Sequence, residues 1–201
     1  MSFFQEDMSG VSHDRMVELA QMRNHEAFTI LFQYHRSGVY KYAASLVGND
    51  QDAQDLTQST FLKAWEMLPT LRDVPRFKAW LYRIARNLAY DRGRREGKAS
   101  LKSLEGQGLA EQTIALSKPG PEEIIAQREL AQLALAEISP HFRECLILQL
   151  VGFSLSEVAE LVGINEASVR TYVSSARRQF REAYSRLEQV PDVTRKERFT
   201  Q

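Results

Sequence analysis

Apolar residues recur every three to four positions through most of this chain, and nowhere do they alternate singly as a half-buried strand requires. Over residues 13–95 the repeat is carried by 16–20, 27–32, 39–47, 53–68 and 77–88, which predicts one compact helical domain. Asn49-Asp50 has the polarity of a helix start, and Pro69 and Pro75 bracket a loop over 71–74. From Gly93 to Pro121 the repeat weakens while Gly, Ser and Pro accumulate, which predicts a linker. Glu122 and Glu123 then suit the positive end of a new helix that runs on to Ile138, and Ser139-Pro140 restarts a helix towards Leu150. The expected fold is all-α: two small helical domains, 13–95 and 122–189, joined by a flexible linker over 96–121. Residues 1–12 are expected to be a disordered extension, and 190–201 a short polar tail.

The segment 155–181 has the pattern of a helix-turn-helix. Leu155, Val158, Ala159 and Val162 form a narrow apolar stripe, and Gly163 falls where the chain must turn with positive φ. Asn165 can cap the next helix, on which Val169, Val173, Ala176, Phe180 and Tyr184 share the inward face. Arg170, Thr171, Ser174, Ser175, Arg178 and Arg181 are left outward, side chains suited to phosphates and base edges. DNA is therefore the leading partner.

Charge sharpens this picture. The 26 basic and 26 acidic residues cancel, which argues against a general nucleic-acid coat, but they are segregated along the chain. Residues 1–75 hold 6 basic and 10 acidic side chains, 76–102 hold 9 and 2, 103–165 hold 3 and 9, and 166–201 hold 8 and 5. Two basic blocks thus alternate with two acidic ones. A hydrophobic content of 43% is enough for real cores. The single Cys145 lies in an apolar run, forms no internal disulfide, and reads as a small buried hydrophobe. His13, His25, His35 and His141 are scattered without metal-ligand spacing, and no glycine loop lies between a strand and a helix, so no metal, cofactor or catalytic residue is expected. The N-terminus has no leader pattern, and no apolar run approaches the roughly 20 residues that span a bilayer. The expected location is the cytoplasm, without membrane insertion.

Two helix faces carry the remaining chemistry. On 76–95, Phe77, Leu81, Ile84, Ala85 and Leu88 face a core, while Arg76, Arg83, Asn87, Tyr90 and Arg94 share another side with Trp80 at its edge. Arginines for phosphate, an amide for base edges and rings for stacking suit DNA whose strands are separating. On 50–68, Ala53, Thr57, Thr60, Phe61, Ala64 and Leu68 face inward; Asp52, Asp55, Ser59, Leu62 and Glu66 line the outside, flanked by Leu56 and Gln58. An acidic ridge with Leu56 and Leu62 exposed on it predicts docking of a basic, apolar-edged partner helix.

Taken in order, these motifs resemble bacterial sigma factors of the extracytoplasmic-function group, in the sigma-70 family. The resemblance rests on Asp-Ala-Gln-Asp-Leu-Thr-Gln-Ser-Thr-Phe-Leu-Lys-Ala-Trp at 52–65 and Phe-Lys-Ala-Trp-Leu-Tyr-Arg-Ile-Ala-Arg-Asn at 77–87 with Asp91. It continues with Pro-Glu-Glu at 121–123, residues 140–148 and the helix-turn-helix, spanning about 13–188. It implies a non-enzymatic initiation factor that joins core RNA polymerase and brings it to promoter DNA. Domain 2 would dock on the clamp coiled coil of the largest subunit through Asp52, Asp55, Leu56, Gln58, Ser59 and Leu62. It would recognise and help melt the minus-ten element through Lys63, Arg76, Trp80, Arg83, Asn87, Tyr90 and Arg94. Domain 4 would meet the polymerase flap and read the minus-35 element through Ser168, Arg170, Thr171, Ser174, Ser175, Arg178 and Arg181, and the linker would thread polymerase channels. Many relatives are held by an anti-sigma factor. This chain departs from the common pattern at Ser59, where a carboxylate is frequent, at Asn165, where Pro is frequent, and at Tyr172, Ser174 and Ser175, which make its recognition helix less basic. The competing reading is a stand-alone helix-turn-helix regulator that binds its operator as a dimer.

Overall fold

The computed structural model describes residues 12–47, 49–95 and 121–189, and within them it holds eight α-helices and no strand. The N-terminal extension, the linker before Pro121 and the C-terminal tail lie outside the described residues. The first half comprises α1 (His13–Gln21), α2 (His25–Leu46), α3 (Asp50–Met67) and α4 (Phe77–Arg95), and the second α5 (Pro121–Ala136), α6 (Pro140–Leu150), α7 (Leu155–Val162) and α8 (Glu166–Glu188). Two short 3-10 turns, Leu68–Thr70 and Val74–Arg76, connect α3 to α4. Pro121 opens α5 rather than ending the linker, consistent with the tolerance of a first helical position for a residue without an N–H.

Helix starts follow local chemistry. Ser12, Asn24, Asn49, Ser154 and Asn165 each accept a hydrogen bond from a backbone N–H in the first turn of the following helix, satisfying donors with no intrahelical partner. At α7 the cap is reciprocal, because Glu157 reaches back to the Ser154 N–H. Gly163 ends α7 at φ +82°, the left-handed conformation expected of the turn.

In the first half, α2 packs on α1, α3 and α4 around Val17, Leu31, Val39, Phe61, Leu68, Phe77 and Leu81. In the second, α8 is the long strut against which α5, α6 and α7 lie. Leu161 is buried on α7 beside Val158 and Ala159, and Ala183 and Leu187 continue the buried stripe of α8, so both inner faces are wider than the sequence pattern suggested. The two halves meet. α6 lies across α2 and α7 touches α4, so that buried residues from both, including Tyr42, Tyr82, Leu148 and Phe153, belong to one continuous core. No helix among the described residues is long and apolar enough to cross a membrane.

Candidate functional site

The recognition helix α8 presents its expected outward face. Arg170, Thr171, Ser174, Arg178 and Arg181 are exposed, and Ser168 and Ser175 are half-buried at its margins. Its position is set from behind: Val169, Val173 and Ala176 are buried, and Tyr172 turns inward to pack on Phe142 with ring centroids 4.8 Å apart. Arg170 pairs with Glu166 at 3.1 Å and Arg178 lies 3.9 Å from Glu182. Such exposed pairs one turn apart contribute little and yield readily to phosphate. α7 is held firmly beneath, since the backbone and side-chain hydrogen bonds from Ser154 keep the Glu157 carboxyl below the usual range.

The face of α3 differs from its sequence reading at two positions. Leu56, expected outside, is 3% exposed, whereas Leu62 is 60% exposed. Asp52 is half-buried and pairs with Arg92 of α4. The reason is shared, because α4 packs against the flank of α3 that carries both residues and widens the buried sector there. The outer ridge is therefore Asp55, Ser59, Leu62 and Glu66, all exposed. Lys63, assigned to the minus-ten set, lies on this same helix and pairs with Glu66 at 3.0 Å.

Beside the ridge runs an open groove of about 810 Å³ between α2 and α3. Gln58 and Leu62 line it from α3 with Trp65, while His25, Phe28, Phe32, Arg36 and Tyr40 line it from α2. Trp65 is wedged between His25 and Phe28, with ring centroids at 4.7 and 4.8 Å, and the Arg23 guanidinium lies 5.1 Å from its ring. The contribution of α2 was missed in the sequence, although Phe28 and Phe32, four residues apart, were a signal: half-buried aromatics on one stripe need a neighbour.

The basic side of α4 is occupied. Arg76, which closes the preceding 3-10 turn, binds Glu160 of α7 through two contacts of 3.0 Å, and Arg83 reaches the same carboxyl at 3.2 Å. Lys78 donates to the carbonyls of Val151 and Gly152 at 2.8 and 3.1 Å, closing the end of α6, and lies 4.3 Å from the Phe153 ring centre. Beneath them Arg86 Nε and the Tyr42 hydroxyl converge on Glu144 Oε1 at 2.9 and 2.8 Å. Glu144 is fully buried on α6, and its Oε2 has no hydrogen-bond partner among the described residues. Burial, and then Glu144, raise the Tyr42 hydroxyl well above its usual pKa. Burial works against the Arg86 charge, but Glu144 prevails and raises it. Asn87 and Arg94 remain exposed, Trp80 is half-buried against Phe77 at 5.9 Å, and Tyr90 is half-buried beneath the Arg86 guanidinium, 4.5 Å from its ring. Sequence reasoning put Arg76, Arg83 and Arg94 on one outward side, and all three are exposed, but it missed Lys78, Arg86, Glu144 and Glu160, since nothing local links them.

No group of three or more His, Cys, Asp or Glu among the described residues is placed to hold a metal. His13 and His35, distant in sequence, meet through their Nε2 atoms at 2.8 Å, and His35 is buried against Phe77. Cys145 is buried, as expected, and burial pushes its thiol up to about 12.

Comparison with known proteins gives two family matches: Sigma-70 region 2 over residues 31–99, and Sigma-70, region 4 over residues 128–180. The chain is 31% identical to the ECF RNA polymerase sigma factor SigE of Mycolicibacterium smegmatis, over 76% of this chain, and spans only 59% of that relative's length. It is 30% identical to the ECF RNA polymerase sigma factor SigL of Mycobacterium tuberculosis, over 87% of this chain and 94% of that one. Among solved structures it is similar to the sigma factor RpoE of Bartonella quintana, crystallised with the anti-sigma factor NepR. That match has a TM-score of 0.62 and 26% identity, over 79% of this chain and 96% of that one.

Proposed function

The chain belongs to the extracytoplasmic-function sigma factors of the sigma-70 family, and from that premise we propose that it binds core RNA polymerase and directs it to promoters. The observation that carries the reading is the ordered pair of regions, one with an acidic ridge beside an open aromatic groove and the other with an exposed recognition helix. A dimeric repressor would use the second and leave the first without a purpose.

In this reading Asp55, Gln58, Ser59 and Leu62 meet the clamp coiled coil of the largest polymerase subunit, and the α2/α3 groove beside them extends the interface. Asp52 and Leu56 support that surface from behind. Arg76, Trp80, Arg83, Asn87, Tyr90 and Arg94 serve the minus-ten element with Lys63 at the border, and the outward face of α8 serves the minus-35 element while its domain meets the flap. Polymerase performs the nucleotidyl transfer, and this chain supplies contacts alone. It works in the cytoplasm, where its template and polymerase are. The similar Bartonella protein forms a complex with an anti-sigma factor, and a partner of that kind is the proposed control here.

The test is transcription of genomic DNA by sigma-free core polymerase with the purified chain, followed by mapping of 5′ ends. Discrete starts sharing two upstream elements are expected; no transcripts, with tight operator binding by the chain alone, would favour the dimeric regulator. Asp55→Arg should weaken core binding by roughly 1–3 kcal/mol, the range for reversing an interfacial charge. Unchanged affinity in a titration would remove the ridge from the interface.

A further inference from the structure

We propose that Arg23 is a positioning residue for polymerase docking: it holds Trp65 in place as part of the wall of the groove between α2 and α3, and it does so from a turn whose backbone favours glycine. The proposal rests on the reading of that groove as part of the polymerase interface, and on geometry for the part Arg23 plays.

The end of α1 is closed by donation from the Arg23 N–H to the Ala20 carbonyl at 3.0 Å and from the Asn24 N–H to the Leu19 carbonyl at 3.2 Å, a pair of bonds that usually has glycine at its left-handed position. Arg23 sits there at φ +66°, the one non-glycine residue with positive φ among the described residues. Such a backbone costs an L side chain free energy, and a site that keeps one points to a use for the side chain. The corner itself makes no such use of it. Asn24 caps α2, and Gln21 already ties the end of α1 to the turn after α3 by donating to the Leu68 and Leu71 carbonyls at 3.3 and 2.6 Å. The Arg23 side chain is spent on Trp65. Its Nη1 donates to the Trp65 carbonyl at 2.8 Å, one of the last four of α3, and Pro69, four residues on, has no N–H to offer that oxygen. Its guanidinium lies 5.1 Å from the Trp65 ring centre, while His25 and Phe28 lie against the same ring. The hydrogen bond is exposed and adds little to the stability of the fold. What the two contacts fix is the orientation of a ring that lines the groove with Gln58 and Leu62.

The test is titration of the full chain and its variants into sigma-free core polymerase. Arg23→Gly removes the side chain and relieves the backbone, so the variant should fold and melt close to the wild type. Its affinity for core polymerase should fall about fivefold, the scale of one exposed cation–ring contact. Trp65→Phe supplies the comparison: in that chain Arg23→Gly should cost no further affinity, because the ring through which it acts is gone, and two losses that multiply overturn the proposal. Tryptophan emission reads the ring independently. It should shift on Arg23→Gly in the otherwise wild-type chain and stay unchanged in the Trp65→Phe chain, where Trp80 is the remaining tryptophan. Absence of the first shift overturns the proposal. Affinity lost together with stability makes Arg23 a structural tie and overturns it too, as does full affinity in Arg23→Gly. A wild-type chain that does not bind core polymerase at all overturns the promoter reading instead.

Discussion

The two basic faces of this molecule carry similar side chains and meet opposite fates. On α8, Arg170, Arg178 and Arg181 project from a helix anchored by its own half, and among the described residues Arg170 and Arg178 pair with carboxyls one turn away. On α4, Arg83 and the adjoining Arg76 are bound across the molecule by Glu160, with Lys78 and Arg86 committed beside them. A basic face therefore reports a capacity for DNA, and its availability depends on what the rest of the chain lays over it. Burial separates the layers of that contact: the pairs of Arg76 and Arg83 with Glu160 are exposed at both ends, like those on α8, whereas Arg86 ends at the Glu144 carboxyl, from which water is excluded.

The largest effect expected to break this contrast is that of Arg86→Leu. Glu144 would keep only Tyr42, and the closed arrangement should lose about 3–5 kcal/mol, the usual cost of removing one partner from a buried pair. In denaturant the wild type should unfold in one transition, and the variant in separate transitions of the two halves. A single unchanged transition would mean that the apolar seam alone holds the halves.

Acid should act on the covered side as well. His35 lies under the start of α4 with its pKa lowered to about 4, first by burial and then by His13 and Lys78. The unfolded chain takes up a proton near the ordinary value of about 6.5 that the folded chain refuses, so the contribution of neutral His35 is complete above that pH. It is lost progressively as pH falls towards 4, by about 3 kcal/mol in all. His35→Gln should flatten that part of the stability–pH profile; an identical slope in the variant would show that His35 does not cause it.

The smallest effect belongs to the open face. Arg178→Ala should weaken binding to minus-35 duplex by about 1–3 kcal/mol if it reads a base, or lower the salt slope by about one if it holds a phosphate, while leaving core affinity unchanged. A loss of core affinity instead would show that this face serves polymerase.

How much was legible in the sequence follows the range of the forces involved. Asn49, Asn165 and Gly163 perform the roles their positions suggest because caps and turns are settled within four residues. The outward residues of α8 were legible because one wide apolar stripe fixes one opposite face. Leu56 and Asp52 were misjudged because α3 meets two neighbours, α2 and α4, and the second claims a flank that a single stripe does not show. The groove residues of α2 were missed for a related reason, since their purpose appears only when α3 supplies the other wall.

By itself the sequence determined the helices, the caps at Asn49 and Asn165, the turn of the helix-turn-helix, the alternation of acidic and basic blocks and the family to which the motifs belong. These rest on periodicity and on contacts made within a turn or two. Only the tertiary structure decided which basic face is engaged by the other half of the chain. Arg83 and Glu160 lie 77 positions apart, and Tyr42 and Glu144 lie 102 apart. No local preference pairs such residues; they are brought together by two apolar surfaces closing on each other, and the buried charges follow where that closure puts them.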